Sequence, residues 1–446
     1  GAYNDTMLGN DAGYSQNMGG AGQTYSYNTN LGYRAGYQNI SGRSNTYVGN
    51  EAGFSRTGAS NVAVGADALF GGANEVNSGD ANVAVGVTAG AYVQGNNTVH
   101  IGSYAGRYAS GSNNVSVGYE AGRGSITSAP YSSGTNNVSV GYQALKGFTT
   151  GHSNVAVGKG ALTALTTGDA TTAVGLSAGS NVTTGRFNTF FGWNAGGNSN
   201  ASHVVAIGYN VYGSGASNKS YGVYIGSQAG RYDTSGEAVI AIGYNAVACD
   251  SGGGNNPSSC IGIGNNALSG ITGQARSNIG IGASAVNNIT NGEYNTAMGQ
   301  SVGSTLTTGD NNVLIGYNAD VSAAAGTNQI VVGQGATGVG DNTAIIGNSS
   351  VTDVYMGDNG STWSTTSDGR LKENVEDWNV GLDAINNLRI VSYNFKKDNP
   401  YKYNSDKKRQ GIIAQEAQKV LPEMIKDDGE WLSANQEPMI WALVNS

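Results

Sequence analysis

Over the first 350 positions, apolar residues alternate with small or polar ones in three-residue bursts, many headed by Asn and each closed by Gly. Asn154-Val155-Ala156-Val157-Gly158 and Asn312-Val313-Leu314-Ile315-Gly316 are clear copies. The longer phrase runs on to Ala-Gly, as in Asn45-Thr46-Tyr47-Val48-Gly49-Asn50-Glu51-Ala52-Gly53 and Asn114-Val115-Ser116-Val117-Gly118-Tyr119-Glu120-Ala121-Gly122. Its central Gly falls at 9, 32, 49, 65, 86, 102, 118, 141, 158, 175, 192, 208, 226, 243, 264, 282, 299, 316, 333 and 347. Most gaps are 16 to 18 residues, with 21 or 23 where a loop is inserted. A period this constant over about twenty copies is the mark of a solenoid.

The Val-x-Val and Ile-x-Ile alternation has the period of a strand, and each copy is too short for two helices and a turn. The trailing Gly suits a corner where φ is positive and no Cβ fits. The Tyr/Asn-x-Ala-Gly part predicts a second short strand, followed by a variable turn such as Thr166-Thr167-Gly168-Asp169. Stacked coils of this kind form a parallel β-roll or β-helix. At ~4.8 Å per rung, about twenty rungs make a rod on the order of 95 Å long. One rung offers only two or three Val/Ile and an Ala, little burial for a lone chain, so a homotrimer of wound chains is expected.

Composition sharpens this picture. Gly accounts for 72 of 446 residues, and charged residues for only 12%. Scarce Pro and the absence of a Gly-X-Y period exclude collagen. An apolar content of 38%, periodically placed, excludes a disordered tail. The formal charge of −8, without a basic stripe, argues against nucleic-acid binding. No run of ~18 apolar residues predicts membrane insertion. The opening Gly1-Ala2-Tyr3, close to a repeat and without Met, is expected of a processed or partial chain.

Several columns carry candidate chemistry. Asn45, Asn61, Asn82, Asn114, Asn137, Asn154, Asn295 and Asn312 predict a stacked corner whose amides bond from rung to rung. Tyr or Trp often follows the central Gly. These rings either pack between chains or form a stripe that stacks on sugars, with Tyr119, Tyr142, Trp193, Tyr209 and Tyr244 as the glycan-contact candidates. Acidic residues such as Asp80, Asp169 and Asp310 sit in turns, not in glycosidase-like pairs. His100 and His203 lack a matched Ser and Asp. Cys249 and Cys260 flank a Gly-rich loop and are read either as a disulfide pinning it or as two free thiols. No cofactor or metal is expected.

The Asn-Val-Ala-Val-Gly phrase resembles the head repeats of trimeric autotransporter adhesins, which are left-handed parallel β-rolls, and the Gly-rich shafts of phage tail fibres. From Ser367 to Ser446 the chain changes, holding 11 of the 22 Lys+Arg but only four of the 72 Gly. Three segments are expected: a shaft over 1–350, a neck over 351–366 containing Trp363, and a small α+β domain over 367–446. Within the last, the pattern predicts a helix over 380–388, a strand over 390–395, a second strand at Gly411–Gln415 entering a helix through Val420, and a helix from Pro438 cut short by the chain end.

Trp363, the Ser367-Asp368-x-Arg370-x-Lys372 motif, Gly411-x-x-Ala414-Gln415 and Leu421-Pro422-Glu423 resemble the intramolecular chaperone domain of phage endosialidases and tail fibres, the S74 peptidase family. Where that family often has His before the Gly-x-x-Ala-Gln strand, this chain has Lys408-Arg409-Gln410. The resemblance implies a domain that trimerises the fibre, guides folding and then cuts itself off. Ser367 would attack the neighbouring carbonyl, with Lys372 as base and Asp368 and Arg370 in support. Enzymatic activity is thus at most a single self-cleavage; the alternative for Ser367 is a helix cap. The combined reading is a virion tail fibre for host attachment. Its expected partners are a host surface glycan or protein and other tail or baseplate proteins. A polysaccharide-degrading tailspike and a bacterial trimeric surface adhesin are the alternatives.

Overall fold

The computed structural model describes residues 4–15, 26–71, 77–125, 131–197, 200–212, 220–233, 236–249, 256–351, 370, 372–398, 405–427 and 431–445. The chain forms two compact units, Gly1–Ile346 and Gly347–Ser446.

The first unit is built on twenty strands of three residues, from β1 (Thr6–Leu8) to β20 (Ala344–Ile346). Each strand is followed at once by one of the twenty central glycines. Each also pairs in parallel with the strand of the next copy, residue for residue. Ser116, for example, lies level with His100 on one side and with Ser139 on the other. A parallel neighbour only one repeat away leaves the chain a single short return path, so every repeat closes one coil of a parallel β-solenoid. The central glycines are needed for two reasons. Gly118 has φ +128°, and a Cβ there would stand 2.7 Å from the carbonyl oxygen of Gly141 in the next coil.

The alternation has a definite phase. From Thr29–Leu31 to Ile330–Val332 the middle residue of every strand is buried, and the flanking Val, Ile or Thr face outward. The interior is therefore lined by Ala63, Ala84, Ala156, Ala173, Ala206 and Ala241, with large residues at intervals. A second interior position, six residues further on, compensates in volume. Tyr47, Phe190 and Tyr224 are followed six residues later by Gly53, Gly196 and Gly230, where a Cβ would lie only 2.6, 2.3 and 2.2 Å from the ring. The small Ala63, Ala156 and Gly262 are followed instead by the fully buried Leu69, Leu162 and Leu268. Those leucines sit at φ +50°, +49° and +53°. That conformation costs roughly 1–2 kcal/mol, which burial of a whole Leu side chain offsets by about 1.5–3 kcal/mol.

The expected second strand does not form. Glu51 and Glu120, two residues past their central Gly, have φ +52° and +51°, and Gly53 and Gly122 follow at +61° and +52°. Left-handed residues so close together turn the chain and cannot extend it. The turns still stack. Gly53 N donates to Ala68 O and Glu51 N to Tyr33 O, each at 2.8 Å, so the far wall of the coil is a pile of turns. The Asn corner forms as the sequence predicts. Asn61 N donates to Asn45 Oδ1 (2.8 Å), and Asn45 Nδ2 donates to Gly58 O (3.0 Å). The same pair of bonds recurs through Asn82, Asn137 and Asn312, so these buried corner amides are satisfied.

The second unit holds helix α1 (Leu382–Asn387), strand β21 (Val391–Tyr393) antiparallel to β22 (Arg409–Gly411), and helix α2 (Ala414–Ala417). A 3-10 turn at Pro422–Met424, a hairpin of β23 (Ile425–Asp427) with β24 (Leu432–Ala434), and helix α3 (Glu437–Val444) follow. Among its described residues Ala417, Leu421, Met424 and Ala442 are buried. The second strand ends at Gly411, earlier than the sequence pattern suggests, because Gln418 N and Leu421 N already bond back to Ala414 O and Ala417 O. The β23–β24 hairpin has no counterpart in the sequence-based expectation. Among the described residues no helix is long and apolar enough to cross a membrane.

The compensation in volume can be tested in one coil. Phe190→Ala should cost about 3–5 kcal/mol, and Gly196→Leu alone about 1–3 kcal/mol or more by overpacking. The double variant should melt close to the parent, and a double variant as unstable as the sum of its parts would disprove shared volume at this pair.

Candidate functional site

The chemistry expected of Ser367 begins in a segment of which the structure describes only part. Ser367 and Asp368 lie outside the described residues, as does Trp363, whereas Arg370 and Lys372 are described and exposed. Downstream, β21 and β22 place Ser392, Lys408, Arg409 and Gln410 around a polar hollow of about 430 Å³. The Arg409 guanidinium lies over the Phe395 ring at 5.5 Å. A second hollow, about 500 Å³ and mainly apolar, is lined by Trp378, Glu423, Glu437, Pro438, Trp441 and Val444. The Trp441 indole N–H donates to Glu437 Oε1 at 3.3 Å.

Residues 367–426 match the family model of the chaperone of endosialidase, Peptidase S74. The chain therefore carries a chaperone module of the S74 type preceded by a parallel β-solenoid shaft. This pairing fits a protein of the phage tail-fibre or tailspike type.

On the shaft, the five rings singled out from sequence are all half-exposed. Tyr119 and Tyr142 stack at 5.5 Å and 14°, and Trp193 lies 4.6 Å from Tyr209. Tyr244 is 50% exposed. A second aromatic column, not foreseen, runs through Tyr14, Tyr37, Phe54 and Phe70 with centroid spacings of 5.0 to 5.2 Å, and continues in Tyr92, Tyr108 and Tyr131. Its sequence signal is weak, because the rings shift from the fifth to the sixth position after the central Gly between Phe70 and Tyr92.

Cys249 and Cys260 are free thiols, so the disulfide considered for them is not formed. Each is buried and hydrogen-bonded: Cys260 Sγ donates to Ala275 O of the next coil at 3.0 Å and Cys249 Sγ to Val247 O at 3.9 Å. Burial pushes the Cys260 thiol up to about 12 and raises that of Cys249 well above its ordinary range. Neither is available as a thiolate nucleophile or metal ligand. A thiol reagent at mildly alkaline pH should therefore label neither cysteine of the native chain and both after denaturation; prompt labelling of the native protein would contradict this packing.

Polar groups are also buried within the coils. Arg56 is fully enclosed, its guanidinium donating to Val93 O and, at 3.3 Å, to Gly79 O. Burial, with the Arg56 charge adding to it, pushes His100 down from 6.5 to about 3. A folded-state value below the unfolded one means that the unfolded chain binds the extra proton. Stability contributed by neutral His100 is then complete above pH 6.5 and is lost as pH falls toward 3. His100→Leu should flatten this part of the stability profile, measured by chemical denaturation at a series of pH values. An unchanged acid slope in the variant would exclude His100 as its source.

Proposed function

We propose that this chain is a homotrimeric tail-fibre protein of a bacteriophage, located in the virion and serving host attachment. In this reading the segment 367–446 drives trimerisation and folding and then cuts the chain at Ser367, with Lys372 as base and Asp368 and Arg370 ordering the loop. The neck would span 351–366 and the shaft 1–350. The observation that carries the proposal is the outward face of the strand ladder. Val64, Val85, Ile101, Phe191, Ile207 and Ile315 are 36–57% exposed in the single chain. In-register pairing lines such residues up from coil to coil.

A continuous apolar stripe of this length is foreign to a monomer in water. Three copies related by a rotation that closes bury it without leaving an open end. An S74-type match behind such a stripe supports a module that brings three chains into register before the coils zip. Cleavage by Ser367 needs a base that takes the hydroxyl proton, and a neutral lysine can serve. The exposed rings Tyr119, Tyr142, Trp193, Tyr209 and Tyr244 are the proposed contacts to a host surface glycan.

Two measurements test the reading. Intact mass of freshly made protein should show a break before Ser367 that Ser367→Ala abolishes; full-length mass in both would reject self-cleavage. Val64→Asp with Val85→Asp should shift the sedimenting species from trimer toward monomer, whereas an unchanged trimer would place the interface elsewhere.

A further inference from the structure

The net charge of the chain is −8, but its cations are unevenly spread. Arg107, Arg123 and Lys146 each stand five residues after the central Gly of three successive coils, and Lys159 follows in the fourth. Backbone bonds between coils stack this column: Tyr108 N donates to Arg123 O (2.7 Å) and Gly147 N to Thr163 O (3.0 Å). The cations lie on aromatic faces. The Arg107 guanidinium is 4.9 Å from the Tyr108 ring centre, Arg123 is 5.6 Å from the same ring, and Lys159 Nζ is 5.8 Å from Tyr142. Two carboxylates face the group. Glu120 binds Lys146 (2.7 Å) and Arg123 (3.1 Å), and Asp67 feels the charge of Arg107. Four cations against two anions leave a local excess of positive charge.

The same coils open a trough. Tyr92 and Tyr108 occupy the sixth position after the central Gly in their coils, and the next three coils carry Gly124, Gly147 and Ala164 there. Loss of the rings leaves a hollow of about 390 Å³ whose walls are Arg123, Gln143, Lys146 and Thr163. That volume lies within the range of small-ligand sites. Its lining combines Arg123, Gln143, Lys146 and Thr163 with the small Gly124, Gly147 and Ala164.

We propose that this trough binds an acidic polysaccharide, a glycan bearing carboxylate groups, with a sugar ring against the half-exposed Tyr142 beside it and its carboxylates on Arg123 and Lys146. Aromatic faces take the apolar side of a sugar ring, and Arg and Lys supply charge-assisted hydrogen bonds to carboxylates. Coil stacking repeats the cation at steps of ~4.8 Å, which suits a polymer lying along the coils better than a single small anion. The site is centred on the fifth and sixth positions after the central Gly, with Tyr142 and Gln143 added from the first and second, and includes none of the outward strand residues assigned to the trimer contact. It rests on the attachment reading only for its biological purpose, because oligosaccharide binding can fail while trimer formation and Ser367 processing stand, and the reverse.

The test is isothermal titration of the full chain with oligomers of galacturonate, alginate and hyaluronate, beside neutral maltooligomers of equal length and a single-stranded oligonucleotide. At least one acidic oligomer should bind, more weakly as salt is raised. Lys146→Glu should weaken that binding by about tenfold or more, the loss of one charge-assisted contact and the gain of a repulsive one. Ala164→Trp, which fills the trough without changing charge, should do the same. Arg276→Glu, a charge-matched change at a cation paired with Glu293 in another coil, should leave binding as it was. The proposal is overturned if no acidic oligomer binds, if the neutral oligomers or the oligonucleotide bind equally well, or if Arg276→Glu costs as much as Lys146→Glu.

Discussion

Each coil of the shaft must lay its backbone on the next at strand spacing, with the same residue types in register. The column of central glycines meets that requirement where the chains come closest. With φ near +130° and the next carbonyl within van der Waals distance, no side chain is tolerated there. Once this corner is fixed, the strand before it has to pair with its successor, and the Asn corner opposite has to satisfy its amide on the coil above and the turn beside it. The remaining freedom is in side-chain volume, which the middle strand residue and its partner six positions on divide between them.

A narrow interior has a consequence for the outside. Because only the middle residue of each strand points into the coil, the Val and Ile on either side of it are turned out. The apolar surface that a globular domain would hide inside itself is presented by this chain as a lateral face. Burial of that face then depends on other copies, and a module that gathers the copies acquires a physical purpose.

Much of this architecture was legible from residue spacing. The twenty central glycines correspond one to one with the twenty strands, since glycine alone marks both a positive φ and a close approach. The phase of the strands was not legible, because Val-x-Val reads the same facing in or out. The clue lay in pairs such as Phe190 with Gly196 and Ala156 with Leu162, six residues apart and meaningful only once the coil is known. The missing second strand was hidden for a related reason: Glu51 and Glu120 adopt a left-handed conformation that nothing in a glutamate advertises. In the second unit the Ser367-to-Lys372 motif and the S74-type match could be read, but the β23–β24 hairpin could not, its strands being only three residues long. The cation and ring column over Arg107, Arg123 and Lys146 escaped notice because its residue types vary from coil to coil.

The direction of the hydrogen bonds has a mechanical meaning. In this fold the strands run across the stack and their backbone bonds run along it, so an axial pull opens bonds end-on and does not shear them past one another. Successive coils then carry the tension in series, and the extensibility of the shaft is set by its least cohesive step. Loops inserted at the corners add chain length without adding a link to the series.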